Sequence, residues 1–138
     1  KLGFVKAADQ SAKESPGVPK LTLVGKAGTY TTVSGETIPS DSYDLAVRMM
    51  SMQKAHKTIA LTGALCTAAA CVIAGTIPNQ LLKKENQSNH QTKLCFGHGD
   101  GLIETTIDYE EPKEGDTIIR SISSYRTARK ILTGTVFF

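Results

Sequence analysis

The most distinct feature of the hydrophobic pattern is an uncharged stretch at residues 62–74. Its residues are small or apolar on every side of a helical wheel, so the pattern predicts a helix that is buried all round. Thr62 is of a type favoured as an N-cap, Gly75 is placed as a C-cap glycine, and Pro78 prevents the helix from continuing. The sequence therefore predicts one central core helix.

Alternating or β-branched apolar residues on both sides of this helix predict strands. The predicted strands lie at residues 20–24, 30–33, 92–96, 102–109, 117–123 and 127–138. Residues 44–52 fit a strand and a helix almost equally well. Leu45, Val47 and Met49 alternate there, but the window is short enough for either structure.

The remaining segments complete a mixed architecture. Residues 1–15 have apolar positions at helical spacing, which Pro16 ends. Residues 83–91 are polar and predict a surface loop. One buried helix among several strands favours the α+β class, with a sheet wrapped around the central helix, over a doubly wound parallel sheet.

Size, charge and cysteine content exclude several classes of protein. The 138 residues suit one domain. The net charge of +3 is scattered and contains no run of five like charges, so no nucleic-acid-binding arm is indicated. Three cysteines without metal-type spacing argue against a disulfide framework and a zinc site, and favour a cytoplasmic protein. The apolar stretch 59–77 is too rich in Gly and Thr to predict a membrane span, and the start lacks a signal-peptide core.

The start of the predicted helix is a candidate anion site. The first turn of a helix presents unpaired backbone N–H groups and a partial positive charge. The small residues Thr62, Gly63 and Ala64 would let a carboxylate approach these groups. The alternative is a capped core helix in which Gly63 only allows close packing.

A short polar patch precedes this helix. Lys54, His56 and Lys57 could attract an anion or relay a proton, because an imidazole titrates near neutral pH. They could equally be solvated surface charges.

The glycine-rich segment at residues 97–101 predicts a tight turn that leaves His98 or backbone amides free to approach a ligand. It lacks the spacing of a dinucleotide-binding or phosphate-binding loop. A simple hairpin turn explains it as well.

Other reactive side chains have ordinary explanations. Cys66 and Cys71 lie within the predicted core helix and read as inert core thiols. Arg126 and Arg129 could pair with a carboxylate, or could be solvated or salt-bridged. No catalytic triad, carboxylate pair or metal cluster can be argued from spacing.

Three blocks form an ordered set of motifs. The first, residues 51–76, contains Ser-Met-x-Lys-x-His-Lys, then Thr-Gly-Ala-x-Cys-x-Ala, then Ala-Gly-Thr. The second, residues 96–101, is Phe-Gly-His-Gly-Asp-Gly. The third, residues 126–136, contains Arg-Thr-Ala-Arg and Gly-Thr-Val. Residues 18–21, Val-Pro-Lys-Leu, add a weaker fourth match.

In order and spacing these blocks resemble the PrpF family of isomerases, which includes 2-methylaconitate cis–trans isomerase. Ala74 stands where the family usually has Pro, and Gly99 and Asp100 replace the family's Pro-Ser. The resemblance implies a fold like diaminopimelate epimerase, whose two halves are each a mostly antiparallel curled sheet around a central helix, with the active site between them. Residues 1–138 would then be the C-terminal domain, incomplete at its N-terminal end.

The resemblance also implies a reaction class. Family members shift a proton on small unsaturated di- or tricarboxylates without a cofactor or metal, which requires an acid, a base and carboxylate-binding donors. The acid–base groups belong mainly to the family's N-terminal half. This chain would therefore hold no catalytic residue and be inactive alone, needing that half or a homo-oligomer partner.

On this interpretation the chain supplies the carboxylate-binding wall of the cleft. The candidate binding residues are Thr62, Gly63, Ala64, Met52, Lys54, His56 and His98. The alternative is a noncatalytic truncated remnant that acts as a structural or binding module. Neither hypothesis includes a nucleic acid or a membrane as partner.

Overall fold

A six-stranded, mostly antiparallel sheet is the framework of the structure, a computed structural model that describes residues 3–52, 54–82, 91–112, 115–126 and 128–137. Its strands are β1 (Leu21–Lys26), β4 (Leu45–Ser51), β5 (Lys54–Ala55), β6 (Gln91–His98), β7 (Gly101–Glu110) and β8 (Ile118–Ser124). The spatial order is β1-β4-β6-β7-β8, with β5 paired to β4. All neighbours are antiparallel except β4 and β6, which are parallel.

A small antiparallel hairpin lies outside this sheet and consists of β2 (Tyr30–Thr31) and β3 (Thr37–Ile38). The predicted strand at residues 30–33 is therefore only two residues long. Its backbone reaches the main sheet through the Val33 N–H group, which donates to the carbonyl oxygen of Gly99 at 2.9 Å.

The ambiguous segment 44–52 is a strand. Leu45, Val47 and Met49 are at most 2% exposed on one face of β4. The same face continues with Leu94 and Phe96 of β6, and the helix described next covers it. Burial of this alternating set decides the period in favour of the strand.

The core helix is α2, Leu61–Val72, and it begins earlier than predicted. Its N-cap is Ala60, which makes no side-chain capping bond, so the prediction of Thr62 as N-cap is wrong. The buried residues are Ala64, Thr67, Ala68, Cys71 and Val72. Thr62 and Cys66 are exposed, so the helix is buried on one face and not all round.

A second short helix, α3 (Ile77–Leu81), follows α2 almost directly. The C-cap of α2 is Ile73, and Gly75, two residues further, has a φ of 82°. Glycine accepts this left-handed conformation without strain, which turns the chain into α3. Pro78 lies in the first turn of α3, where the lack of an N–H group is tolerated.

Both ends of the chain depart from the prediction. Of the helix predicted at residues 1–15, the described part holds a 3₁₀ turn at Ala8–Gln10 and α1, Ser11–Glu14. Of the strand predicted at 127–138, the described residues 128–137 are neither helix nor strand and are exposed. Residues 1, 2, 127 and 138, and most of the predicted loop at 83–91, lie outside the described residues. A β-prone sequence needs a paired neighbour, and residues 128–137 have none among the strands described.

The remaining predicted strands are confirmed with shifted ends, and the architecture is α+β: a mostly antiparallel sheet with α2 packed on one face. This arrangement places the start of α2 beside the β4–β5 and β6–β7 turns.

Candidate anion-binding site

The start of α2 presents three backbone N–H groups that the helix itself cannot satisfy. The Ala64 N–H group donates to the carbonyl oxygen of Ala60 at 3.0 Å, which is the first regular helical bond. The amides left without a helical partner are therefore those of Leu61, Thr62 and Gly63. Ala64 is fully buried. The amides available to a ligand therefore lie one residue earlier in the chain than the predicted Thr62, Gly63 and Ala64.

Gly63 has a packing role that is independent of any ligand. A Cβ atom at this position would lie 1.9 Å from Cε of Met49. Met49 is a core residue of β4 and only 2% exposed. The glycine therefore lets α2 approach the sheet closely, as the alternative in the sequence analysis proposed.

Met52, Lys54 and His56 lie on or just after a tight hairpin between β4 and β5. Met52 has a φ of 49°, an unusual value for a residue other than glycine. Lys54 pairs with Ser51, and the His56 N–H group donates to the carbonyl oxygen of Met49 at 2.8 Å. The hairpin leaves the side chains of Met52, Lys54 and His56 exposed.

Thr58 holds the His56 ring. The Thr58 N–H group donates to Nδ1 of His56 at 3.1 Å, and the Thr58 hydroxyl oxygen lies 3.2 Å from the same nitrogen. This contact closes the two residues into a compact turn that leads into α2 three residues later.

His98 is buried at the end of β6 and is 8% exposed. Its Nδ1 accepts a hydrogen bond from the Asp100 N–H group at 3.2 Å. Burial lowers the pKa of the ring, and the nearby charges of Arg48 and His56 lower it further. Asp100 and a hydrogen bond to the Leu102 backbone act in the opposite direction. His98 is therefore neutral at pH 7, and the backbone of its own hairpin holds its ring.

The predicted turn at 97–101 is a two-residue hairpin in which Gly99 and Asp100 connect β6 to β7. A Cβ atom on Gly99 would lie 2.6 Å from the carbonyl oxygen of Lys57. A Cβ atom on Gly97 would lie 2.7 Å from the ring of Tyr43. Gly99 thus allows the β6–β7 hairpin to contact the segment that precedes α2, and Gly97 leaves room for the Tyr43 ring.

Arg48 and Tyr30 support this hairpin from the other face of the sheet. The Tyr30 hydroxyl is 2.8 Å from the carbonyl oxygens of both His98 and Gly101. The Arg48 guanidinium lies 4.9 Å from the centre of the Tyr30 ring and donates to the carbonyl oxygen of Gly97 at 3.0 Å. A cation over an aromatic face is favourable. Neither residue was predicted from the sequence, and only the placement of an arginine between the core positions of β4 could have suggested one of them.

Two grooves of about 430 Å³ flank the start of α2. The first, the His98 groove, is lined by Thr58, Ile59, Leu61, His98, Leu102, Ile103, Glu104, Tyr125 and Arg126. The second, the Cys66 groove, is lined by Lys20, Thr22, Val24, Met49, Thr62, Gly63, Cys66, Thr67, Ala70, Ile77 and Pro78. Met52 lines neither and borders a separate groove near Pro19 and Lys20.

The structure thus brings together some candidates and separates others. His98 and Leu61, at the start of α2, line the same groove, and Gly99 packs against the carbonyl oxygen of Lys57, the residue after His56. Arg126 lines the His98 groove, although sequence spacing could not place it there.

The cysteines differ from the expectation of inert core thiols. Cys66 is exposed on α2, so that part of the prediction is wrong. Cys71 is buried, and burial, aided by the negative charge of Asp44, raises the pKa of its thiol to about 12. The pKa of the partly buried Cys95 is raised to about 11, again mainly by burial.

Within the described ranges, no three His, Cys, Asp or Glu side chains are grouped so that they could hold a metal ion. None of the helices in those ranges is long and apolar enough to cross a membrane.

The mostly antiparallel sheet with its core helix belongs to the class of diaminopimelate epimerase-like folds. The family model described as "PrpF protein" matches residues 1–138, so the chain belongs to the PrpF family. A solved structure titled "Crystal Structure of Methylitaconate-delta-isomerase" superposes with a TM-score of 0.67 and 31% identity, covering 90% of this chain and 32% of that one.

Curated relatives match over almost the whole chain. The "Putative isomerase YraM" of Bacillus subtilis (strain 168) is 41% identical over 99% of this chain and 33% of that protein. The 3-methylitaconate isomerase of Eubacterium barkeri is 33% identical over 99% and 34%. The 2-methyl-aconitate isomerase of Cupriavidus necator is 28% identical over 99% and 33%. This chain spans about a third of the length of each relative.

Proposed function

We propose that this chain is the C-terminal, carboxylate-binding part of an isomerase that shifts a proton on a small unsaturated di- or tricarboxylate. Its relatives are named as isomerases of methylitaconate and methylaconitate. Because the chain spans a third of their length, the acid–base groups belong, on this proposal, to a further unit of the family fold or to a partner chain.

The proposal rests on one observation, which is the set of donor groups at and just before the start of α2. The free amides of Leu61, Thr62 and Gly63 supply donors and the positive end of the helix dipole. His56 and Lys57 precede them in the chain and are exposed. Donors at the first turn and an exposed imidazole in the segment that leads into it suit a ligand with two or more carboxylates.

The other candidate residues make smaller or indirect contributions to ligand binding in this proposal. Lys54 contributes long-range attraction from the exposed β4–β5 hairpin, and Met52 contributes apolar lining further away. His98 forms the buried wall of the His98 groove, because its ring is already hydrogen-bonded by its own hairpin. Ala64 supports the first turn from within the core and donates no free amide.

A direct test is titration of the ¹⁵N-labelled chain with itaconate and trans-aconitate, followed by amide chemical shifts. We expect the largest shifts at Leu61, Thr62 and Gly63, and none with the uncharged dimethyl itaconate. Thr62→Pro deletes one free amide at a position where a helix tolerates proline, and should weaken binding about tenfold. Thr62→Ala keeps the amide and is the matched control. Equal binding by both variants would exclude the α2 start as the site.

Catalysis is tested separately by incubating the chain with methylitaconate in D₂O. On this proposal the chain alone binds the dicarboxylate without deuterium entering its carbon skeleton, because it lacks the base. Deuterium incorporation detected by ¹H NMR would show that the chain holds its own acid–base pair. Absence of both binding and exchange would favour the noncatalytic remnant.

A further inference from the structure

The two histidines of the candidate site make the same contact with the backbone. In each, Nδ1 accepts from the N–H group two residues further along the chain, at 3.1 Å for His56 and Thr58 and at 3.2 Å for His98 and Asp100. A neutral imidazole has one nitrogen that accepts and one that donates. A backbone donor at Nδ1 therefore selects the tautomer that carries its proton on Nε2.

The surroundings of the two rings nevertheless differ. His98 is 8% exposed and is also hydrogen-bonded to the backbone of Leu102. His56 is exposed, and among the described residues the hydrogen-bond contacts of its ring are those with Thr58, both at Nδ1. Of these two rings, His56 is the one whose Nε2–H group can serve a ligand.

We propose that Thr58 is a positioning residue that fixes the His56 ring as an Nε2–H donor in the turn that leads into α2. Thr58 places two groups at the same nitrogen, its backbone N–H at 3.1 Å and its hydroxyl oxygen at 3.2 Å. The ring is thereby held in one tautomer and one orientation, so that less freedom is lost when a carboxylate binds. The use of this donor by a ligand rests on the proposed function, whereas the tautomer does not.

The charged and titratable groups around the ring are few enough to separate in an experiment. Lys57 is its chain neighbour, and Lys54 lies two residues earlier on β5. His98 is electrostatically coupled to His56 from the β6–β7 hairpin. Since the Thr58 contacts are the ones made directly to the ring, tautomer selection should depend on Thr58 and not on these charges.

The tautomer is tested on the ligand-free chain by long-range ¹H–¹⁵N spectra of the histidine rings at pH 8. We expect His56 to have a protonated Nε2 and an unprotonated Nδ1. Thr58→Pro removes the backbone N–H donor and should shift the ring towards a tautomer mixture, whereas Thr58→Ala keeps that N–H group and should retain the wild-type tautomer. Lys57→Met is the control for charge and should change nothing. A protonated Nδ1 in the wild type, or a tautomer unaffected by Thr58→Pro, would overturn the proposal.

A second measurement separates this proposal from the proposed function. His56→Gln places an amide near the Nε2 position, whereas the shorter side chain of His56→Asn ends near Nδ1. Itaconate should bind His56→Gln within about twofold of the wild type and His56→Asn about tenfold more weakly. If the tautomer is as proposed but both variants bind normally, Thr58 still positions the ring, and the assignment of His56 to the ligand fails.

Discussion

At Gly63, both helix packing and ligand binding require a residue without a side chain. A side chain there would collide with Met49 and would also obstruct approach to the first turn of α2. Loss of binding in a Gly63 variant is therefore ambiguous, which is why Thr62, with its exposed side chain, is the better position for testing the site.

Replacing Gly63 with Val should destabilise the fold even without a ligand. Two methyl groups must displace the buried end of Met49, and overpacking of this kind costs about 1–3 kcal/mol. Thermal unfolding measures the effect. Gly25→Ala is the control, because a Cβ atom on Gly25 meets no atom within 4 Å. An unchanged midpoint for Gly63→Val would mean that α2 and β4 are not as close as described.

The three thiols should react in a fixed order. At pH 8 a thiol with a pKa of about 11 or 12 is almost entirely protonated, and the thiolate is the reactive form. Iodoacetamide should therefore alkylate the exposed Cys66 first, and Cys95 and Cys71 only slowly. Peptide mass spectrometry over time measures the order. Early labelling of Cys71 in the folded chain would contradict its burial.

At the scale of elements, the Ala-Gly-Thr motif after α2 connects two helices. The Thr76 hydroxyl donates to the carbonyl oxygens of Ala70 and Ile73 at the end of α2, and accepts from the Asn79 N–H group at the start of α3. Asn79 Nδ2 also donates to the carbonyl oxygen of Cys71 at 2.8 Å. A motif whose role the sequence left open thus satisfies polar groups that the helix ends leave unpaired.

Thr76→Val should lower stability by about 1 kcal/mol, the usual cost of losing an N-cap hydroxyl. Thr76→Ser keeps the hydroxyl and should lose much less. Urea unfolding followed by circular dichroism measures both. Unchanged stability of Thr76→Val would show that the hydrogen bonds of the Thr76 hydroxyl do not stabilise this junction.

Elements with internal signals were predictable, and elements that depend on distant partners were not. The uncharged run gave α2, and alternation gave β7 and β8. The residues 128–137 have strand-like composition but no neighbouring strand, because pairing is not encoded locally. β5 was missed because it is two residues long and depends on the positive φ of Met52.

The candidate site, too, was predictable from local signals and not from contacts between distant segments. The helix start could be predicted from small residues in a capped pattern, with an error of two residues at the cap. The approach of Gly99 to Lys57 could not, because it joins two hairpins distant in sequence. The contributions of Arg48 and Tyr30 were equally invisible, since each acts through carbonyl oxygens of another strand.

At the scale of the whole molecule, the outer face of β1 is apolar and uncovered. Leu21 and Leu23 are 60% and 56% exposed, whereas Val24 packs against the core. Natural single domains rarely leave neighbouring large apolar side chains this exposed without a partner surface.

The double variant Leu21→Thr, Leu23→Thr should therefore bind less of the dye bis-ANS while keeping its melting midpoint, because threonine retains strand propensity. Val24→Thr is the matched control and should lower the midpoint. If the double variant melts as early as Val24→Thr, the two leucines are packed against other residues, and the face of β1 that carries them is covered.

The sheet contains an uneven junction. β1 and β4 pair along six residue positions and β6 and β7 along eight, whereas β4 and β6 pair only at Leu45–Phe96 and Ala46–Gly97. The Asp44 N–H group also donates to the Cys95 carbonyl oxygen, and the Asp44 carboxylate accepts from the Cys95 N–H group.

Because so few backbone bonds cross this junction, the β1–β4 pair and the β6–β7 pair should behave as separate cooperative units. Native-state hydrogen exchange should protect β6 and β7 to a common free energy and β1 and β4 to a different one. A ligand held at the start of α2, close to both strand pairs, would then couple two units that otherwise open independently.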